Sequence, residues 1–169
     1  EGTRATAIEP HRVRTEHASV TAKYVVRATE SYTRSLRGQR RRLAPIYSMM
    51  IATEPLPAEA LAEIGLTERT TFSDGRHLII YGQRTADGRI AFGGRGAPYH
   101  FGSRINARKD VNDSIHMGLA ETLSRLLPVT SDFAITHRWG GPLGVARDWM
   151  ASVGLDPGTG LAWSSGYVG

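Results

Sequence analysis

The chain has 169 residues, of which 40% are hydrophobic and 22% charged, the balance of one ordinary globular domain rather than a disordered or fibrous polymer. It holds no run near the roughly 20 apolar residues of a membrane helix. It has no cysteine, which excludes disulfides and cysteine-ligated metal. The net charge of +5 comes almost wholly from arginine. The densest cluster, Arg37, Arg40, Arg41 and Arg42, lacks the interleaved aromatics of a nucleic-acid surface and reads as a solvated connection, so nucleic acid is not an expected partner.

In chain order, residues 3–29 alternate as short strands do, at Thr6 to Ile8, Val13 to Thr15 and Ser19 to Val26, with breaks at Glu9-Pro10 and Glu16-His17. Tyr24-Val25-Val26 is a continuous β-prone run, which predicts a strand covered on both faces. A helical turn is expected after Ser31. Ala44 to Thr53 predicts a core strand, stopped by Glu54-Pro55-Leu56-Pro57. Pro57 suits the first position of a short helix, Ala58 to Ile64, with Gly65 as its left-handed end. Arg76 to Gln83 and Arg89 to Gly94 flank Thr85-Ala86-Asp87-Gly88, a hairpin signal. The clearest helix is Val111 to Leu127, with Val111, Ile115, Leu119, Leu123 and Leu126 on one face. Asn112 or Asp113 caps it and Pro128 ends it. A strand from Phe133 to Trp139, a Gly-rich turn at 140–144 and a short run from Leu161 to Ser164 complete the pattern. The fold class is α+β: an antiparallel or mixed sheet with one long helix packed across it.

Six histidines, at positions 11, 17, 77, 100, 116 and 137, show no metal-ligand spacing, so no metal is expected. There is no G-x-S-x-G elbow. The glycine stretches at 93–96 and 140–144 lack the lysine of a P-loop, and neither opens a helix after a strand.

The order of the parts carries more signal than any one of them. Ala22-Lys23-Tyr24-Val25-Val26-Arg27-Ala28-Thr29 ends the meander, and a β-rich insert with an Asp-Gly hairpin follows. Then come a helix closing on Leu-Pro, His137-Arg138-Trp139-Gly140-Gly141, Arg147-Asp148, and Gly160 to Gly169. This order resembles the D-amino-acid oxidase family of FAD-dependent oxidoreductases, which includes glycine, sarcosine and glutamylputrescine oxidases.

The resemblance implies FAD as cofactor and a small amine or amino acid as substrate, oxidised by hydride transfer to flavin N5. It implies that 44–139 form a substrate-binding domain whose sheet roofs the isoalloxazine. Residues 1–34 and 140–169 would be incomplete, returning parts of an FAD-binding domain. Cofactor contacts fall on Thr29, Gly141, Gly166, Tyr167, Val168 and Gly169, and substrate-orienting roles on Tyr47, Tyr81, Arg95 and Trp139. No residue is singled out as catalytic. Three departures matter: no G-x-G-x-x-G unit is present, Glu30 stands where the family has glycine, and Leu143 replaces a carboxylate-clamping arginine.

The chain opens at Glu1-Gly2-Thr3 without methionine and closes on a glycine run, which reads as interruption at both ends. The expectation is therefore a piece of a cytoplasmic flavoenzyme, inactive alone and not retaining FAD. The rival reading is a self-contained basic α+β module binding an anionic ligand or nucleic acid.

Overall fold

The computed structural model describes residues 2–66, 68–75, 77, 79–94 and 99–168. The chain divides into two compact units, one of Glu1–Ile46, Tyr99–Ile105 and Pro142–Gly169, the other of Tyr47–Pro98 and Asn106–Gly141. The architecture is α+β, with antiparallel and mixed sheets and few helices.

In the first unit, β1 (Ala5–Glu9), β2 (Arg12–Thr15) and β3 (Ser19–Thr21) form the expected antiparallel meander. The run read as one strand to Val26 is in fact two. β3 ends at Thr21, and β4 (Val25–Arg27) joins a different sheet, parallel to β11 (Leu161–Ser165), which pairs antiparallel with β10 (Ser152–Asp156). The backbone explains the break. The Ala22 N–H donates to the His11 carbonyl at 3.0 Å, whereas the Val25 N–H donates to Gly160 at 2.9 Å. Coverage of Tyr24 to Val26 on both faces is also corrected: Val25 is buried, but Tyr24 and Val26 are exposed. In a strand of three residues the side chains alternate, and only one face is covered. The expected helical turn is a 3-10 turn, Glu30–Ser35.

The second unit is built on a five-stranded sheet, in the order β6 (Thr71–Ser73), β7 (Ile80–Arg84), β8 (Ile90–Gly94), β5 (Ala44–Thr53) and β9 (Ile135–Val145). Alternation gives the sheet two faces. Tyr47, Met49 and Ile51 of β5 point with Ile80, Ile90 and Phe92 into the core, where they meet Leu61 of helix α1 (Ala58–Ile64) and Leu119 and Leu123 of helix α2 (Asp113–Leu126). The β7–β8 hairpin closes as Asp-Gly predicts. Thr85 N donates to Arg89 O at 2.9 Å, and Gly88 takes φ 82°.

Both helices end as their sequences dictate. Gly65 closes α1 at φ 72°, while Pro57 is its N-cap rather than its first residue. Asn112 caps α2, its Oδ1 accepting from Ile115 N at 3.2 Å. Val111 therefore lies outside the helix and is exposed, not on its apolar face.

The Gly-rich turn at 140–144 is a further correction, because these residues run straight through β9. None of Gly140, Gly141 and Gly144 has a positive φ. At Gly140 a Cβ would press on Ser48 O at 2.9 Å and Asp110 O at 3.0 Å, so glycine serves close packing there rather than turning. The sequence reading also missed β6 and β10. β6 has only three residues, and β10 is a short run whose alternating Val153 and Leu155 are both exposed rather than in the core.

Candidate functional site

Strands β4 and β11 lie side by side and parallel, with Val25 opposite Leu161 and Arg27 opposite Trp163. The segments that follow them leave in the same direction, which brings Thr29 and Glu30 toward Gly166 and Tyr167. Gly166 turns the chain at φ 82°, and a Cβ there would meet Met150 O at 2.8 Å, so only glycine fits. The turn aims two successive amides at one point. Gly166 N and Tyr167 N donate to the same oxygen, Glu30 Oε1, at 3.1 and 3.0 Å. Val168 anchors the segment with a buried side chain, while Tyr167 is exposed.

Glu30 reaches this position from a left-handed backbone, φ 44°. Its second oxygen, Oε2, is buried and has no hydrogen-bond partner, and neither does the neighbouring Ser31 Oγ. Gly144 of β9 lies against that oxygen. A Cβ on Gly144 would collide with Oε2 and come within 2.8 Å of Ser31 N. Thr29 is beside the cluster, but its hydroxyl bonds the Thr33 hydroxyl at 2.8 Å and so braces the 3-10 turn.

The other residues singled out from the sequence are distributed differently. Gly141 belongs to the second unit, and a Cβ there would meet open space, so no close approach demands glycine. Gly169 and Arg95 lie outside the described residues. Tyr47 is fully buried in the core, and its hydroxyl accepts from Asn106 N at 3.0 Å and donates to Asn106 O at 3.2 Å. Its polar group is thus committed to holding that turn.

Tyr81 stands on the opposite face of the same sheet, half-buried, with its hydroxyl bonded to Ser48 Oγ. Cross-strand register sets Gly93 beside both Tyr81 and Met50. A Cβ on Gly93 would meet Tyr81 Cε2 at 2.9 Å, so the glycine keeps this face flat around the tyrosine. Trp139 is partly exposed on β9, and its carbonyl is held by His116 Nε2 at 3.1 Å. A carbonyl only accepts, so Nε2 carries the proton, and Nδ1 is left to accept from Asn112 N at 3.4 Å. This buried histidine is the neutral Nε2–H tautomer, a bracket between α2 and β9.

Sequence reasoning passed over Ser48, His116 and Gly144. Nothing in a lone serine, a helical histidine or a strand glycine marks it until its neighbours are known.

Two arginines of the basic cluster, Arg37 and Arg42, lie beside a cavity. Arg27, Arg37, Gln39, Arg42, Asp156 and Trp163 line a cavity of about 370 Å³ in the first unit. Burial lowers the Arg27 pKa, and the nearby Arg42 charge adds to the effect. Arg27 Nη1 donates to Gln39 Oε1 at 2.6 Å, while its buried Nε has no partner. Hydrogen bonds from Thr159 and the Gly158 amide lower the Asp156 pKa. Among the described residues no group of three or more histidine, aspartate or glutamate side chains is placed to hold a metal. None of their helices is long and apolar enough to cross a membrane.

The profile of the family described as "FAD dependent oxidoreductase" matches residues 1–169. The chain is 30% identical over 167 residues to the gamma-glutamylputrescine oxidoreductase of Escherichia coli (strain K12), covering 95% of this chain and 35% of that protein. It is 29% identical over 150 residues to the probable oxidoreductase OrdL of Rhizobium meliloti (strain 1021), covering 86% of this chain and 32% of that one. It thus spans about a third of the length of these curated relatives. Among solved structures, L-proline dehydrogenase from P. horikoshii superposes with a TM-score of 0.77 at 17% identity, covering 100% of this chain and 45% of that one. Glycine oxidase from Geobacillus kaustophilus gives 0.75 at 17% identity, covering 98% and 42%.

Proposed function

The chain belongs to the FAD-dependent oxidoreductase family of amine and amino-acid oxidases, and from that premise we propose that it supplies a substrate-facing sheet and one edge of the flavin site in an enzyme oxidising a small amine or amino acid. The observation that carries this reading is the pair of convergent amides, Gly166 N and Tyr167 N, at the end of the strand parallel to β4. Two donors on one point suit a carbonyl-bearing edge, and they fit a flavin on the condition that the Glu30 carboxylate withdraws.

In this reading the first unit contributes cofactor contacts through Thr29, Gly166, Tyr167, Val168 and Gly169, and residues 44–139 form a substrate domain. Gly141 stays a cofactor contact of this reading through its backbone, since its Cβ position is open. FAD, when bound, would supply the acceptor for a hydride from the amine-bearing carbon. The protein's part is to orient and to exclude water. Tyr81, paired with Ser48 on the flat face around Gly93, offers a hydroxyl to the substrate, with Arg95 and Trp139 as further orienting groups. Tyr47 supports that sheet from its buried side. Leu143 cannot clamp a carboxylate, which favours an amine or a substrate without a free α-carboxylate. Because these 169 residues include no glycine-rich pyrophosphate cradle, the chain purified by itself is expected to be colourless and inactive. A cytoplasmic setting goes with this reading.

The test is made on the full native protein. FAD-loaded enzyme, mixed anaerobically with a panel of small amines and amino acids, is expected to lose its flavin absorbance with at least one of them, and more readily with amines. Failure to take up FAD at all would overturn the reading. The arginine-lined cavity supports the rival, an anion-binding module. That rival predicts salt-sensitive binding of labelled DNA or phosphate by this chain, and flat titrations would remove it.

A further inference from the structure

The cluster around Glu30 is built in a way that its hydrogen bonds alone do not explain. A glutamate at φ 44° occupies a backbone region that side chains of this size seldom adopt. Its carboxylate satisfies two amides through Oε1, yet Oε2 is buried with no partner. Glu30 makes no ion pair among the described residues. A buried acceptor atom without a hydrogen-bond partner has lost its water and gained nothing in return, so Oε2 is poorly satisfied where it sits. The amides, by contrast, are rigidly aimed. Gly166 takes a positive φ with Met150 O packed where a Cβ would stand, and the wall at Gly144 leaves no space for even a methyl group. A strained, half-satisfied side chain therefore fills a well-formed receptor for an oxygen acceptor.

From this the geometry points to Glu30 as an internal stand-in for the cofactor: its carboxylate occupies the Gly166–Tyr167 amide pair until a flavin carbonyl displaces it. This inference rests on the cofactor reading above and adds to it a residue that sets how readily the flavin is taken up. The ligand is a planar, neutral carbonyl edge, which accepts from both amides without burying a charge. Glu30 would then swing away, relieving the unpaired Oε2. The same contact protects the two amides when no flavin is present.

Two substitutions test it, Glu30→Gly and Glu30→Gln. Glycine removes the occupant and accepts the positive φ without strain; glutamine keeps the shape and removes the charge, and guards against a variant that fails to fold. In the apo form of the full native protein, flavin affinity is read by fluorescence quenching, and the amide resonances of Gly166 and Tyr167 by nuclear magnetic resonance on this chain. Glu30→Gly is expected to bind flavin about tenfold tighter, roughly 1.4 kcal/mol, with Glu30→Gln between it and the parent. Without flavin, both amide protons should shift upfield and exchange faster in Glu30→Gly. Equal or weaker flavin binding by Glu30→Gly, with flavin still bound by the parent, overturns the stand-in role and leaves the cofactor reading intact. Absence of flavin binding in parent and variants alike overturns the cofactor reading and the stand-in with it.

Discussion

The pairing of Tyr81 with Ser48 makes an asymmetric prediction that stability measurements can check. The two hydroxyls share one hydrogen bond, but their surroundings differ: Ser48 is buried at 8% exposure, whereas Tyr81 is half-buried. Removing the tyrosine hydroxyl in Tyr81→Phe leaves Ser48 Oγ with no partner in a buried place, which costs about 1–3 kcal/mol. Removing the serine hydroxyl in Ser48→Ala leaves a phenol that can turn toward water, so only the net worth of the bond is lost, about 0.5–1.5 kcal/mol. For a chain of this size each kcal/mol lowers Tm by about 2–4 °C, so Tyr81→Phe should melt several degrees below Ser48→Ala. The double variant should cost less than the sum of the two, with a coupling of about 1 kcal/mol. Thermal melts of the four proteins followed by circular dichroism give the cycle. Strictly additive effects, or Ser48→Ala the more damaging of the two, would refute the pairing. The proposed function adds a kinetic arm: in the full native protein, Tyr81→Phe should raise KM more than it lowers kcat.

Other substitutions probe the frame that holds the site. Thr53→Val conserves volume but deprives the buried Ile90 N–H of the Thr53 Oγ1 it meets at 3.0 Å, so a loss of about 1–3 kcal/mol is expected in chemical denaturation. Gly144→Ala drives a methyl against the Ser31 backbone nitrogen at 2.8 Å, and such overpacking should cost about 1–3 kcal/mol. Because that contact is with backbone, Glu30→Gly should restore only part of the loss. Asp87 is held below its ordinary pKa of 3.8, first by the Thr85 hydroxyl and then by Arg89. A depressed carboxylate contributes stability that is fully present above 3.8 and is lost as pH falls through the lower folded-state value. Asp87→Asn should therefore lower the melting temperature slightly at neutral pH and leave strongly acid pH little changed, which flattens the acid side of the profile. An unchanged acid slope would show that the turn contributes nothing there.

Much of this architecture was legible in the sequence, and the reasons lie in particular residues. Asp87-Gly88 between two apolar runs, Gly65 after a short helix and Asn112 before a long one each act locally, so the sequence carries their whole effect. What failed depended on partners distant in sequence. Ser19 to Val26 is a single β-prone run, yet it divides because His11 claims Ala22 while Gly160 claims Val25. Tyr47 and Tyr81 look alike as strand aromatics. Their opposite fates follow from which face of the sheet each parity selects, and parity cannot be assigned before the core is known. Glu30 was visible as a residue out of place, but not as a ligand for amides 136 and 137 positions away.

Glycine shows why the site itself is the hardest part to foresee. Gly166, Gly144 and Gly140 are the same letter with three different physical meanings. Gly166 is required by φ 82°, Gly144 by the Ser31 backbone and the Glu30 carboxylate, and Gly140 by two carbonyls, from Ser48 and Asp110. Read as a cluster they signal a turn, yet two of them lie in one straight strand. What they have in common is that each lets the main chain come closer than a side chain would permit. A receptor made of backbone amides needs that closeness, because an N–H projects far less from its chain than a side chain does. The donors in such a receptor leave no residue type to recognise; only the glycines that make room for them do. A glycine whose added Cβ would strike another stretch of backbone, unlike Gly141 with open space beside it, is therefore the place to look for a backbone-built site, and in this chain that criterion leads through Gly144 and Gly166 to Glu30.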